Sequence, residues 1–164
     1  MIRIEARRVA TVEDMANTYT SLHYHVVFST KNRQPFLSKA IRERVFAYLG
    51  GIARENGLIA LEVSGMADHV HLLLSIPASL AVSKAVQLLK GGSSHWVKEA
   101  FPDMNDFAWQ DGYAAFTVSE SQVDDVRAYI RSQPDHHRTK TFAEEYRAFL
   151  ARHHIQYDER YLLG

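Results

Sequence analysis

Asp68-His69-Val70-His71-Leu72-Leu73-Leu74-Ser75-Ile76-Pro77 is a strand-like run with two histidines at its mouth. Side chains along a strand alternate between its two faces. His69 and His71 therefore point one way, while Val70, Leu72, Leu74 and Ile76 point the other. The second set is a core face. The first set holds two imidazoles side by side, a pair suited to a divalent metal. Burying such groups without partners would be costly.

Working upstream, Thr20 to Thr30 repeats the alternation. Leu22, Tyr24, Val26 and Phe28 make one face; His23, His25, Val27 and Ser29 make the other. Lys31 to Pro35 is a loop. Ser38 is placed to cap a helix running to about Asn56. Ile41, Val45, Tyr48, Leu49 and Ile52 form its apolar stripe. Gly50 and Gly51 each cost about 1 kcal/mol against alanine in a helix, which predicts close packing there. Leu58 to Gly65 is a second strand, Met66-Ala67-Asp68 a hairpin turn, and His69 to Pro77 the third strand.

Downstream, Ser79 opens a second helix that buries Val82, Ala85, Val86 and Leu89. Gly91-Gly92 bends or interrupts it, or lets a backbone approach closely. Tyr113 to Val118 is a fourth strand. Ser121 with Asp124 resembles a capping box and opens a third helix through Gln133, which Pro134 ends. A last helix covers 141–152. Strand, helix, strand, strand, helix, strand is the split β-α-β order of an α+β, ferredoxin-like (RRM-like) antiparallel sheet. The first two helices cover the Val70 face. The histidines fall on the opposite face, which the third helix can cover.

The 164 residues suit one domain with a sizeable core. Residues 1–17 form an N-terminal appendage, with Met15 a second candidate start, and 18–164 form a single domain with a C-terminal helical tail. There is no cysteine, so disulfides, thiolate metal sites and cysteine nucleophiles are excluded. No apolar run nears the ~20 residues that span a bilayer, and no signal core is present. A cytoplasmic protein without membrane contact is expected. Net charge is zero, against a strong nucleic-acid footprint. Yet residues 1–100 carry 12 Lys/Arg to 8 Asp/Glu and the remainder 7 to 11. That imbalance is either chance or a basic face turned to phosphates.

In the third helix, Val123, Val126 and Ile130 make a packing stripe, while Tyr129 and Gln133, four apart, share a face. Periodicity alone makes Tyr129 a boundary aromatic and Gln133 a solvated or capping residue. Together with His-hydrophobe-His on the third strand, the pair changes that reading. The chain resembles the single-tyrosine HUH transposases of bacterial insertion sequences and their relatives, the REP-associated tyrosine transposases. The likeness runs from Ser21 to Leu163. It includes His25-Val26-Val27-Phe28-Ser29-Thr30-Lys31-Asn32-Arg33, Gly65-Met66-Ala67-Asp68-His69-Val70-His71, Leu89-Lys90-Gly91-Gly92-Ser93-Ser94, Trp109-Gln110-Asp111-Gly112-Tyr113 and Gln133-Pro134-Asp135-His136-His137.

The resemblance implies an HUH endonuclease acting on single-stranded DNA at hairpin ends. His69 and His71 would bind Mg²⁺ or Mn²⁺, with Gln133 as third ligand. Tyr129 would attack phosphorus to give a 5′-phosphotyrosine. Imidazole suits Mn²⁺ better than Mg²⁺, so a loose site completed by DNA is expected. A free phenol titrates near pKa ~10 and needs help to ionise; His23 and His25 are either neighbours in that step or structural and DNA-contacting residues. Lys31, Arg33, Lys84, Lys90 and Lys98 are candidates for backbone contacts, or plain solvated charges. His136, His137, His153 and His154 read as surface or DNA-contact residues. Asp68 is a turn residue or a partner for an imidazole. The resemblance also implies a homodimer in which one subunit's tyrosine helix can complete the other's site. Other readings are a domesticated or non-catalytic hairpin-binding protein of this fold, and a small metal-binding regulatory domain. The acidic tail beyond the tyrosine helix departs from the mobile-element pattern.

Overall fold

β1 (His23–Ser29) lies between β3 (His69–Ser75) and β4 (Ala114–Val118), and β2 (Ile59–Gly65) completes the sheet beyond β3. This is a computed structural model, which describes residues 18–163; the appendage expected at 1–17 falls outside them. All pairings are antiparallel, in the order β2-β3-β1-β4. The β1–β3 register sets Val26 against Leu72 and Val27 against His71. Alternation then sorts the faces as the sequence predicts.

Val26, Phe28, Val70, Leu72 and Leu74 pack under α1 (Lys39–Glu55) and α2 (Val82–Ala100) in the larger core. The opposite face carries His25, Val27, His69, His71 and Leu73. α3 (Val123–Arg131) covers part of it, with Ile130 packed on Leu73 and Val118. The rest is covered by α5 (Phe142–Arg152) and the tail, where Phe142, Tyr146, Leu150 and Leu162 pack on Val27, Ala114 and Phe116. The sheet is thus buried on both sides, and the C-terminal segment is a full part of the second layer.

Several boundaries differ from the sequence reading. α2 begins at Val82 rather than near Ser79, and runs unbroken through Gly91-Gly92. A Cβ on Gly92 would lie 3.0 Å from Ile52 Cδ1, so this glycine lets α1 and α2 approach. The close packing expected at Gly50 and Gly51 is not there; a Cβ at either would have nothing within 4 Å. Ser93, in the same turn as Gly92, accepts a hydrogen bond from the Trp109 indole at 2.9 Å. Gln133 does not end α3. α3 stops at Arg131, and Gln133 opens the short α4 (Gln133–His136) with Pro134 in its first turn. Proline is tolerated there because a first-turn N–H has no helical acceptor. The capping box is made by Thr141 and Glu144 at α5, not by Ser121 and Asp124. Tyr113 lies just outside β4, and Tyr157 and Tyr161 are exposed.

Gly65 pairs with Val70 across the β2–β3 hairpin. A Cβ there would lie 2.2 Å from the His69 carbonyl oxygen and 2.9 Å from Val70 Cα. Backbone cannot step aside as a side chain can. Gly65→Ala is expected to lower unfolding free energy by about 1–3 kcal/mol, whereas Gly50→Ala should raise it by up to about 1 kcal/mol. Urea unfolding of both variants checks this, and equal midpoints would refute it.

Candidate functional site

The turn before β3 and the central strands orient the two imidazoles from behind. His69 Nδ1 lies 2.7 Å from Asp68 Oδ1. Burial works to raise the Asp68 carboxyl, but the His69 hydrogen bond and the charges of His69 and Arg33 outweigh it and hold it below its usual value. Arg33 reaches the same carboxylate at 3.5 Å. His71 Nδ1 lies 2.9 Å from His25 Nε2, with the two rings stacked at 5.1 Å. Burial above all, then the neighbouring His71 and His153, keeps His25 uncharged well below the ordinary histidine range. For His71 to offer its Nε2 lone pair, its proton sits on Nδ1 and is donated to His25 Nε2.

Both Nε2 atoms then face inward, each toward an oxygen. His69 Nε2 is 3.4 Å from Gln133 Oε1, and His71 Nε2 is 3.5 Å from Glu145 Oε2. His69, His71, Gln133 and Glu145 are all buried. One ligand atom from each of His69, His71 and Glu145 lies within 4.8 Å of the others. Two imidazole nitrogens and a carboxylate oxygen, with an amide oxygen alongside, fit a divalent ion of the Mn²⁺ or Mg²⁺ kind, the nitrogens favouring Mn²⁺. Partners behind each ring fix its tautomer and aim.

Tyr129 enters from the inner side of α3. Its hydroxyl donates to Glu145 Oε1, and its ring lies 6.2 Å from both His71 and His25. Tyr129, Gln133, His69 and His71 are therefore gathered by one chain. Burial pushes the Glu145 carboxyl up to about 7, against the opposing pull of His69. Gln133 Nε2 donates to Glu145 Oε1 at 3.0 Å. His137 Nε2 stands 3.0 Å from Gln133 Oε1 and 3.1 Å from Glu145 Oε2.

Glu145 and His137 were not singled out for this site by sequence. A signal existed for Glu145: it interrupts the apolar positions Phe142, Tyr146 and Phe149 at helical spacing, and a carboxylate on such a stripe needs polar company. His137 reads in the sequence as a surface or DNA-contact residue; its side chain is only 9% exposed, so it is not a surface residue. Asp68 proves to be an imidazole partner as well as a turn residue. His25 stands behind His71, while His23 pairs with Glu120 at 2.7 Å on the sheet's rim.

The basic candidates do not converge on this site. Lys84 and Lys98 are exposed on α2, across the sheet from the histidines. Lys90 donates to the carbonyls of Gln110, Asp111 and Gly112, so its three protons serve a loop. Lys31 is exposed. Arg33 belongs to the site through Asp68.

In sequence and in fold the chain is similar to known proteins. The family model described as "Transposase IS200 like" matches residues 18–133. The ISDra2 transposase TnpA of Deinococcus radiodurans is 34% identical over 119 residues, spanning 70% of this chain and 85% of that one. A crystal structure of a Deinococcus radiodurans protein assigned as a transposase superposes with a TM-score of 0.62 at 30% identity, covering 73% of this chain and 95% of that one. A REP-associated tyrosine transposase bound to a REP hairpin shares the fold, with a TM-score of 0.56 at 13% identity over 75% of this chain and 73% of that one.

The partners behind the rings yield a direct expectation. Asp68→Asn should weaken Mn²⁺ binding about 10–100-fold with the fold intact, and His69→Ala should remove it. Free Mn²⁺ measured by electron paramagnetic resonance during titration reports this. Equal affinity in wild type and Asp68→Asn would show that Asp68 does not orient the ligand.

Proposed function

Because the chain belongs to the IS200-like transposase family, a family of DNA-cleaving and strand-transferring enzymes, we propose that it cleaves and rejoins single-stranded DNA through Tyr129. The observation that carries this reading is the meeting of the Tyr129 hydroxyl with His69, His71, Gln133 and Glu145 in one buried cluster. His69, His71 and Glu145, with Gln133 alongside, would hold the ion. A bound Mg²⁺ or Mn²⁺ would supply Lewis-acid polarisation of the scissile phosphate.

Tyr129 is the nucleophile in this reading. Its oxygen attacks phosphorus, a 5′-phosphotyrosine ester forms, and the strand upstream leaves with a 3′-hydroxyl. The phenolic proton passes to Glu145, which already accepts its hydrogen bond, and solvent supplies the proton of the departing 3′-hydroxyl. Attack by a second 3′-hydroxyl on the ester reverses the step and joins strands without a nucleotide cofactor. The α3–α4 arrangement holds Tyr129 close to the imidazoles before substrate arrives, which supplies orientation in advance. In this reading Tyr129 acts in cis, so that in a homodimer each chain would carry a complete site. The substrate is DNA with unpaired nucleotides beside a hairpin; the REP-bound relative supports that choice.

The test is a covalent adduct. Hairpin DNA with a labelled 3′ tail is incubated with protein and Mn²⁺ and resolved under denaturing conditions. Wild type should carry label, Tyr129→Phe none, and Tyr157→Phe as much as wild type. Label retained by Tyr129→Phe would refute the nucleophile. Tight hairpin binding with no adduct in wild type would favour a non-catalytic hairpin-binding protein.

A further inference from the structure

α3 and α5 do not interdigitate along their facing sides; a cleft of about 390 Å³ lies between them. One wall is Gln122, Asp125, Val126 and Tyr129, spaced i, i+3, i+4, i+7 and hence on one side of α3 and its preceding turn. The other wall, Glu145, Ala148, Phe149 and Arg152, repeats that spacing on α5. His25 of the sheet also lines the cleft. The Tyr129–Glu145 hydrogen bond marks one end, and from it the stripe descends in number along α3 and ascends along α5. Seven residues of helix span about 10 Å, which places Arg152 roughly that far from the reacting end. Lys140 lines the cleft as well, two residues before α5 and so at the Tyr129 end.

We propose that this cleft is the track along which the unpaired strand reaches Tyr129. The inference rests on the reading of Tyr129 given above and adds which groups hold the substrate. A cation stands toward each end, with an aromatic ring between them. Phe149 is partly exposed and sits 5.7 Å from the Tyr129 ring. Single strands are held in this way, by cations along the backbone and flat side chains under the bases. Lys140 and Arg152 take phosphates, and Phe149 with Val126 takes a base. Asp125, an acceptor only, repels phosphate and therefore faces a base edge, which orients the strand with its backbone toward the cations. A cleft of this volume excludes a duplex. Three of these groups, Lys140, Phe149 and Arg152, lie beyond residues 18–133 that match the family model.

The experiment is fluorescence anisotropy of a dye-labelled oligo-dA of roughly a dozen nucleotides, in EDTA so that nothing is cleaved, with a blunt hairpin as control. The Lys140→Ala/Arg152→Ala double variant should bind oligo-dA about tenfold or more weakly, with the slope of log affinity against log salt shallower by about 1.4. Its blunt-hairpin affinity and melting temperature should stay those of wild type. Phe149→Leu, which keeps an apolar side chain, should weaken oligo-dA about fivefold or more with little change in salt slope. Wild-type affinity and slope in the double variant would overturn the track. If that happens while Tyr129 still forms its adduct, the transferase reading survives alone; if the variants lose oligo-dA but wild type forms no adduct, the track stands and the transferase reading falls.

Discussion

Three imidazoles lie on one dry face of the sheet, and the second layer of this protein is organised around their need for polar company. His25, His69 and His71 are each less than 5% exposed. Buried polar groups left without partners cost folding free energy, so a simple apolar cover would not serve. The cover instead brings Gln133 from α4 and Glu145 from α5, while Asp68 and His25 secure the rings from behind. The two faces of one sheet thus carry opposite solutions. Under α1 and α2 it is packed with Leu, Val and Phe. Under α3 and α5 an apolar rim surrounds a connected polar network, which low dielectric makes stiff when satisfied and costly when broken.

The charge distribution sets a separate constraint on what the chain can bind. A neutral chain with an acidic C-terminal third is an unpromising nucleic-acid binder by bulk electrostatics. Part of that acidity is engaged, however. Glu159 pairs with Arg147, Asp158 with Arg160, and Glu145 sits inside the site. Exposed pairs of this sort add little stability. In the proposed reading, recognition rests on a few placed cations rather than on a broad basic surface. Of the five basic residues the sequence suggests for DNA contact, Lys90 is engaged with loop carbonyls and Arg33 reaches the Asp68 carboxylate that partners His69.

Period-two alternation was enough to sort both faces of the sheet, because a one-residue slip would have sent leucines to the polar side. Tyr129 and Gln133 do meet the histidines, but not through a shared helical face: α3 ends between them, and Gln133 arrives from α4. What the sequence did not disclose was the destination of α5. Its stripe of Phe142, Tyr146 and Leu150 shows that one side is buried, but an amphipathic helix fits any apolar surface of the right width. Only the tertiary arrangement sets Glu145 opposite His71. The glycines misled for a related reason. Gly50 and Gly91 face open space while Gly92 faces Ile52, and neighbours on a helix differ by about 100° in direction.

The break at Pro134 shows how closely local chemistry and site geometry are joined. Proline inside a continuing helix would clash with the carbonyl four residues back, here Ile130, and would lack its own donor. The chain therefore closes α3 at Ser132 and restarts at Gln133. The restart places one carboxamide against three groups at once: Oε1 toward His69 at 3.4 Å and His137 at 3.0 Å, and Nε2 donating to Glu145 at 3.0 Å. Only a side chain with both donor and acceptor can meet that set. Glutamate here would bring a second carboxylate against Glu145 and force one of them to take up a proton. Asparagine would fall a methylene short. The amide at position 133 is thus required by the buried carboxylate beside it as much as by the imidazoles opposite, and Gln133 and Glu145 are best understood as one unit.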